Sequence, residues 1–180
     1  FIAVRSSSIA FADVDGDNDQ DVLITGYDGT DRHSKLYTNN GSGEYSLVAG
    51  TPFEDVSSGA IAFADIDGDN DQDVLITGSN GVALSKLYTN NGSGEFSLVM
   101  VGTPFEGVFG GEIAFADIDG DNDQDVLITG SDGSDSVSFL YRNNGNGEFS
   151  LVEDTIIDGV FSSSVAFADI DSDNDQDLLI

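Results

Sequence analysis

One passage constrains this chain more than any other. FADVDGDNDQDVLITG, from Phe11 to Gly26, returns from Phe63 to Gly78 and from Phe115 to Gly130 with one valine changed to isoleucine, and again from Phe167 to Ile180, each copy starting 52 residues after the last. Self-similarity at such a period marks supersecondary units stacked side by side, each too small to bury its own apolar face. A repeat architecture follows.

Each copy sets five aspartates at alternate positions, between apolar runs such as Ile9 to Ala12 and Val22 to Ile24. Two carboxylates ~4 Å apart repel by about 4 kcal/mol at an effective dielectric of ~20, so a compact turn of this composition resists forming alone. A bound cation removes that objection. Calcium suits best, because it takes about six to eight hard oxygen ligands in a flexible cage, and alternate aspartates supply several from one short loop. The competing reading, a solvated acidic turn, is weakened by four copies in one register between strand-like runs. The start of the loop resembles an EF-hand, but Asn18 stands where that motif needs glycine and Ile24 where it needs a bidentate glutamate.

The loop more closely resembles the calcium loop of the FG-GAP and VCBS repeats, which occur in the integrin α-subunit propeller and in many secreted bacterial proteins. On that resemblance Asp13, Asp15, Asp17 and Asp21 fall on side-chain ligand positions, and Asp19 on a position that supplies a backbone carbonyl. The same roles carry over to Asp65, Asp67, Asp69 and Asp73 with Asp71, and to Asp117, Asp119, Asp121 and Asp125 with Asp123. In the last copy they fall on Asp169, Asp171, Asp173 and Asp177 with Asp175, but Ser172 replaces the loop glycine, so strain is expected there. One structural calcium ion per repeat, four in the chain, is the implied cofactor. A second signature agrees: LYTNNGSGEY from Leu36, LYTNNGSGEF from Leu87 and LYRNNGNGEF from Leu140 resemble the hairpin of VCBS repeats.

The unit between loops reads as four short antiparallel strands. Ile9 to Ala12 suits a strand buried on both faces, Val22 to Thr25 reads as a second strand, Lys35 to Thr38 alternates, and Glu44 to Val48 returns across an Asn-Gly turn. Helical periodicity is absent. The expected fold is all-β, with propeller blades of four antiparallel strands. Residues 1–8 close a preceding blade, 9–60, 61–112 and 113–164 form three blades, and 165–180 begin a fourth. About 3.5 blades leave an open edge, because propellers close with about four to eight. Further repeats of a larger propeller of six to eight blades, or self-association through the open blade edges, are expected to cover it.

With 34 acidic against 5 basic residues, the formal charge is -29, and 20 of the acidic residues are loop aspartates. Four calcium ions would offset eight of those charges and leave a strongly acidic surface. Nucleic acid partners are therefore not expected, nor is insertion into a membrane, since no apolar run approaches a spanning length. The chain has no cysteine, so disulfides contribute nothing to its stability.

Catalysis finds little support. His33 is the one histidine and reads as a solvated surface residue, and the paired carboxylates stand at ligand spacing. The repeats differ mainly between second and third strands, at Tyr27, Arg32 and His33, at Asn80, Val82 and Leu84, and at Asp132, Asp135 and Val137, and between blades at Phe109 and Phe161. In the resembling propellers these loops share the face that commonly binds partners, although each residue alone reads as plain surface. Asn40 and Asn91 open N-glycosylation patterns at hairpin tips, where turn geometry is their first duty. The leading expectation is an extracellular or cell-surface scaffold, stabilised by calcium, for adhesion to or recognition of a protein or glycan. The alternatives are a structural subunit of an extracellular fibre, and a propeller module of a secreted carbohydrate-active enzyme.

Overall fold

The computed structural model describes residues 1–153, 156–173 and 175–180. Among these residues every regular element is a β-strand. Strands β1 (Arg5–Ala12), β2 (Asp21–Tyr27), β3 (Arg32–Asn39) and β4 (Tyr45–Leu47) form an antiparallel meander. A second meander joins β5 (Ile61–Ala64), β6 (Asp73–Ser79), β7 (Ala83–Asn90) and β8 (Phe96–Leu98), and a third joins β9 (Ile113–Ala116), β10 (Asp125–Ser131), β11 (Ser136–Asn143) and β12 (Phe149–Leu151). Strands β13 (Ala166–Ala168) and β14 (Asp177–Leu179) pair as the start of a fourth sheet. These are partial propeller blades, repeated every 52 residues.

The second strand of each blade explains the stacking. Val22, Leu23, Ile24 and Thr25 are all buried, so β2 is covered on both faces, as its unbroken apolar run requires. Leu23 and Leu36 leave blade 1 to meet Val74, Ile76, Tyr88 and Phe96 of blade 2, and Leu75 and Leu87 meet Val126, Ile128, Tyr141 and Phe149 of blade 3 in the same way. An aromatic trio recurs in both of these interfaces. Phe53 lies 5.1 Å from Tyr88 and 5.0 Å from Phe96, and Phe105 lies 4.9 Å from Tyr141 and 5.0 Å from Phe149. The buried phenol oxygens of Tyr88 and Tyr141 accept the backbone N–H of Glu54 at 2.9 Å and of Glu106 at 3.1 Å, so neither is left unpaired.

Equivalent backbone groups also bond from blade to blade. The N–H of Ser58 donates to Ser6 O at 2.8 Å, Gly110 to Ser58 O at 2.6 Å, and Ser162 to Gly110 O at 2.7 Å. All four residues hold positive φ, from 48° at Ser6 to 67° at Gly110. A left-handed serine costs about 1–2 kcal/mol, which this ladder offsets.

Three strand features differ from the sequence-based expectation. β1 starts at Arg5 rather than Ile9, because Arg5 pairs with Tyr27 across a bulge. β3 starts at Arg32 rather than Lys35, which puts His33 inside a strand opposite Gly26. Leu84, expected on the surface, is buried in the interface between blades 1 and 2 and bridges to Val108.

Gly59, Gly111 and Gly159 mark close approaches between backbones: a Cβ at each would run into the carbonyl of Thr77, Thr129 or Ser136 respectively. A backbone atom cannot swing aside as a long side chain can. Gly59→Ala is expected to destabilise the fold by about 1–3 kcal/mol, read as a lower midpoint in denaturant unfolding; an unchanged midpoint would show that the strands separate freely there.

Candidate metal centres

Each aspartate loop lies between the first and second strands of its blade and is wound around its first aspartate. Asp13 Oδ1 accepts the N–H of Gly16 at 2.8 Å and of Asp17 at 3.2 Å, while Oδ2 accepts that of Asn18 at 2.8 Å. Asp65 and Asp117 gather the corresponding amides of Gly68 and Asn70, and of Gly120, Asp121 and Asn122. The turn needs left-handed backbone at Gly16, with φ 76°, and at Asn18, with φ 69°, both residue types that reach it at low cost. In the fourth loop Ser172 holds φ 67° at the glycine position, so the strain expected there is present in the backbone.

In the first three loops the last aspartate ties the loop to the hairpin of the same blade. Asp21 is buried, and its two oxygens accept the N–H of Val14 at 3.0 Å and of Asn39 at 2.8 Å. Asp73 bridges Ile66 and Asn90 in the same way, and Asp125 bridges Ile118 and Asn143.

Four groups of carboxylates converge. Asp13, Asp15 and Asp17 offer ligand oxygens within 4.8 Å of one another, as do Asp65, Asp67 and Asp73, Asp117, Asp119 and Asp125, and Asp169, Asp171 and Asp177. The structure thus gathers three expected side-chain ligands in each loop. Asp21 lies outside the group of the first loop, and Asp69, Asp121 and Asp173 lie outside those of the other three. Asp19, Asp71, Asp123 and Asp175 join none of them. The carboxylates of Asp19, Asp71 and Asp123 instead lie against hairpin glycines Gly41, Gly92 and Gly145, where a Cβ would meet them.

A cation fits these groups on two observations. Asp15 Oδ1 and Asp67 Oδ1 are buried without a hydrogen-bond partner, an arrangement that burial penalises until something positive meets them. Burial and neighbouring carboxylates also push the Asp15 and Asp67 carboxyls above their ordinary range. Burial likewise raises Asp21 and Asp125, and it raises Asp73 to about 7 against the amides of Asn90 and Ile66 that favour its charge. All-oxygen donors of this kind match a hard cation such as calcium.

A positive charge from β11 stands beside the third loop, with Arg142 Nε 3.4 Å from Asp119 Oδ2, where the first two hairpins have Thr38 and Thr89. Asn40 and Asn91 are exposed at hairpin tips, and their Nδ2 groups donate to Glu44 and Glu95. His33 is less open than expected: its Nε2 lies 2.8 Å from Asp28 Oδ2 and its side chain is 17% exposed.

Two residues missed by the sequence reading touch the loops. Asn90 Nδ2 donates to Val14 O and Asn143 Nδ2 to Ile66 O, each at 2.8 Å and each from the following blade. Their signal was the first asparagine of each hairpin, present at Asn39, Asn90 and Asn143 although none of the three holds the positive φ that a turn would demand.

The family model of the FG-GAP-like repeat matches residues 13–76, 65–128 and 117–180, each match opening on the first aspartate of a loop. A comparison with curated proteins gives no match to the chain.

Two outcomes follow from the loops. Because the Asp73 pKa lies above its ordinary 3.8 in the fold, its contribution to the metal-free fold is fully present below that pH and is lost as pH rises through about 7. Calorimetry of metal-free protein is expected to give a melting temperature that falls between those values; a rise would contradict the burial account. Ser172→Gly is expected to stabilise the protein by about 1 kcal/mol through relief of the left-handed serine, and a loss of stability would mean that the serine side chain contributes more than its backbone costs.

Proposed function

The chain belongs to the FG-GAP-like repeat family, and on that premise we propose that it is a calcium-stabilised extracellular β-propeller module that serves as a scaffold for adhesion or recognition. The observation that carries the reading is the convergence of three carboxylates in each of four loops, with buried oxygens of Asp15 and Asp67 left without a partner. Asp13, Asp15 and Asp17 in the first loop, and Asp65, Asp67 and Asp73, Asp117, Asp119 and Asp125, and Asp169, Asp171 and Asp177 in the later ones, would hold the ion, with Asp19, Asp71, Asp123 and Asp175 offering backbone carbonyls. The ion supplies charge neutralisation and a rigid crosslink within the loop, not a reaction step. His33, held by Asp28, has no catalytic part in this reading.

Recognition belongs to the opposite end of the blades. There the loops between second and third strands meet the segments between blades, as where Asn80 Nδ2 donates to Glu54 Oε1 at 2.7 Å. Sequence differences between repeats concentrate at these loops, with Val82 68% exposed on one of them. A protein or glycan is the partner class we assign to this face. A glycan array and a panel of extracellular matrix proteins test it, with binding expected in calcium and lost when Tyr27, Asn80 and Val82 are all changed to alanine; binding indifferent to those changes would move the site elsewhere.

A second reading, that further blades of the same kind pack on the outer faces, from additional repeats or from a second copy, is supported by exposure. Ile9 is 57% exposed while its equivalents Ile61 and Ile113 are 7% and 6%, and Leu179 is 64% exposed while Leu23, Leu75 and Leu127 are fully buried. These two outer faces have the chemistry of the two sides of each internal interface, so another blade of the same kind fits either.

A site of ~10⁻⁴ M affinity at ~1 mM calcium stabilises a fold by about 1.4 kcal/mol. Four such sites add about 6 kcal/mol, or roughly 10–20 °C in melting temperature for a domain of this size. Excess EDTA is therefore expected to lower the melting temperature by that amount, and an unchanged value would sink the structural role of calcium.

A further inference from the structure

We propose that Asn90 and Asn143 are positioning residues for the metal loop of the preceding blade, so that the first and second loops are each built jointly by two blades. The inference rests on calcium occupying the loops as read above. Val14 lies between Asp13 and Asp15, and its two backbone groups are tied in opposite directions. Its N–H donates to Asp21 Oδ2 at 3.0 Å in its own blade, and its carbonyl accepts Asn90 Nδ2 at 2.8 Å from the next. Ile66, between Asp65 and Asp67, is tied in the same way by Asp73 at 3.1 Å and by Asn143 at 2.8 Å.

These bonds sit where they can act on ligand geometry. Val14 and Ile66 are each 1% exposed, Asn90 and Asn143 are each 6% exposed, and the donated bonds are shielded from water. Rotating the Val14 peptide would move the backbone on which both neighbouring carboxylates are mounted. The hairpin of the following blade adds a steric wall. A Cβ at Gly94 would lie 3.6 Å from Asp15 Cβ, one at Gly147 would lie 3.7 Å from Asp67 Cβ, and Gly147 N donates to Ile66 O at 3.1 Å.

The asparagines are themselves held by the loop of their own blade. Asn90 N donates to Asp73 Oδ1 and Asn143 N to Asp125 Oδ1, both at 2.8 Å. One hydrogen-bonded path therefore runs from Asp21 through Val14, Asn90, Asp73, Ile66 and Asn143 to Asp125, and it passes through three loops. In blade 1, Asn39 keeps the same bond to its own loop through Asp21, and its Nδ2 donates to Gln20 O at 3.3 Å.

Outer partners of metal ligands typically change affinity by about 10–100-fold when removed. The test follows the amide resonances of Gly16, Gly68 and Gly120 by NMR while calcium chloride is added to the 180-residue chain. In Asn90→Ala the calcium midpoint of Gly16 is expected to rise about tenfold, while those of Gly68 and Gly120 stay in place, because the Asn90 backbone bond to Asp73 survives. Asn143→Ala is expected to move Gly68 alone, which keeps the test open if the first variant folds poorly. An unmoved Gly16 in folded Asn90→Ala, or an equal rise at all three glycines, overturns the positioning role. Absence of any calcium response in the unaltered chain overturns the calcium reading beneath it instead.

Discussion

A buried carboxylate in every complete repeat is the constraint on which the rest of this structure depends. Asp21 is fully buried, and Asp73 and Asp125 are 1% exposed. Burying an ionised group costs several kcal/mol unless its oxygens are hydrogen-bonded. Each of these aspartates offsets part of that cost with two backbone amides, one from its loop and one from the hairpin 17 or 18 residues later. The same two bonds fix where the hairpin sits. They set the hairpin against the loop, and they place Asn90 and Asn143 where their side chains reach the previous blade.

Stacking then repeats a single solution. The aromatic trio of Phe53, Tyr88 and Phe96 reappears as Phe105, Tyr141 and Phe149 with nearly equal centroid distances, and the ladder from Ser6 to Ser162 repeats one backbone bond at each step. Nearest-neighbour contacts of this kind make the stability of the stack close to a sum over its interfaces. The copies depart from one another where local function is free to differ. Arg142 beside Asp119 supplies the third loop with part of the positive charge that an ion would bring. Ser172 burdens the fourth loop with a left-handed serine.

Much of this was legible in the sequence, and the legible part is local. The rhythm of aspartates needs only a few residues to be read, so the loops and their convergent carboxylates could be anticipated, as could the Asn-Gly hairpins. Burial on both faces was expected of Ile9 to Ala12, yet Ile9 and Phe11 are exposed and it is β2 that is covered on both sides. What escaped depends on distant backbone. Leu84 looks like a loop residue until Val108 arrives beside it from the next connection, and β1 gains Arg5 only because Tyr27 is there to pair with it. Asn90 lies 76 residues from Val14 and Asn143 lies 77 from Ile66, so no local pattern marks what either asparagine reaches. The division of labour among the five aspartates was blurred for a related reason: alternate spacing treats them alike, whereas Asp19 turns to Gly41 and Asp21 turns inward.

The central claim is that each loop is shaped around a cation and not merely tolerant of acidic residues. Isothermal titration calorimetry of the metal-free chain with calcium chloride tests it most directly. The account predicts four ions bound per chain, with magnesium far weaker because its rigid octahedral demand suits this flexible oxygen set poorly. Heats no larger than dilution, or calcium and magnesium bound equally and without saturation, would contradict it and leave the loops as screened acidic turns.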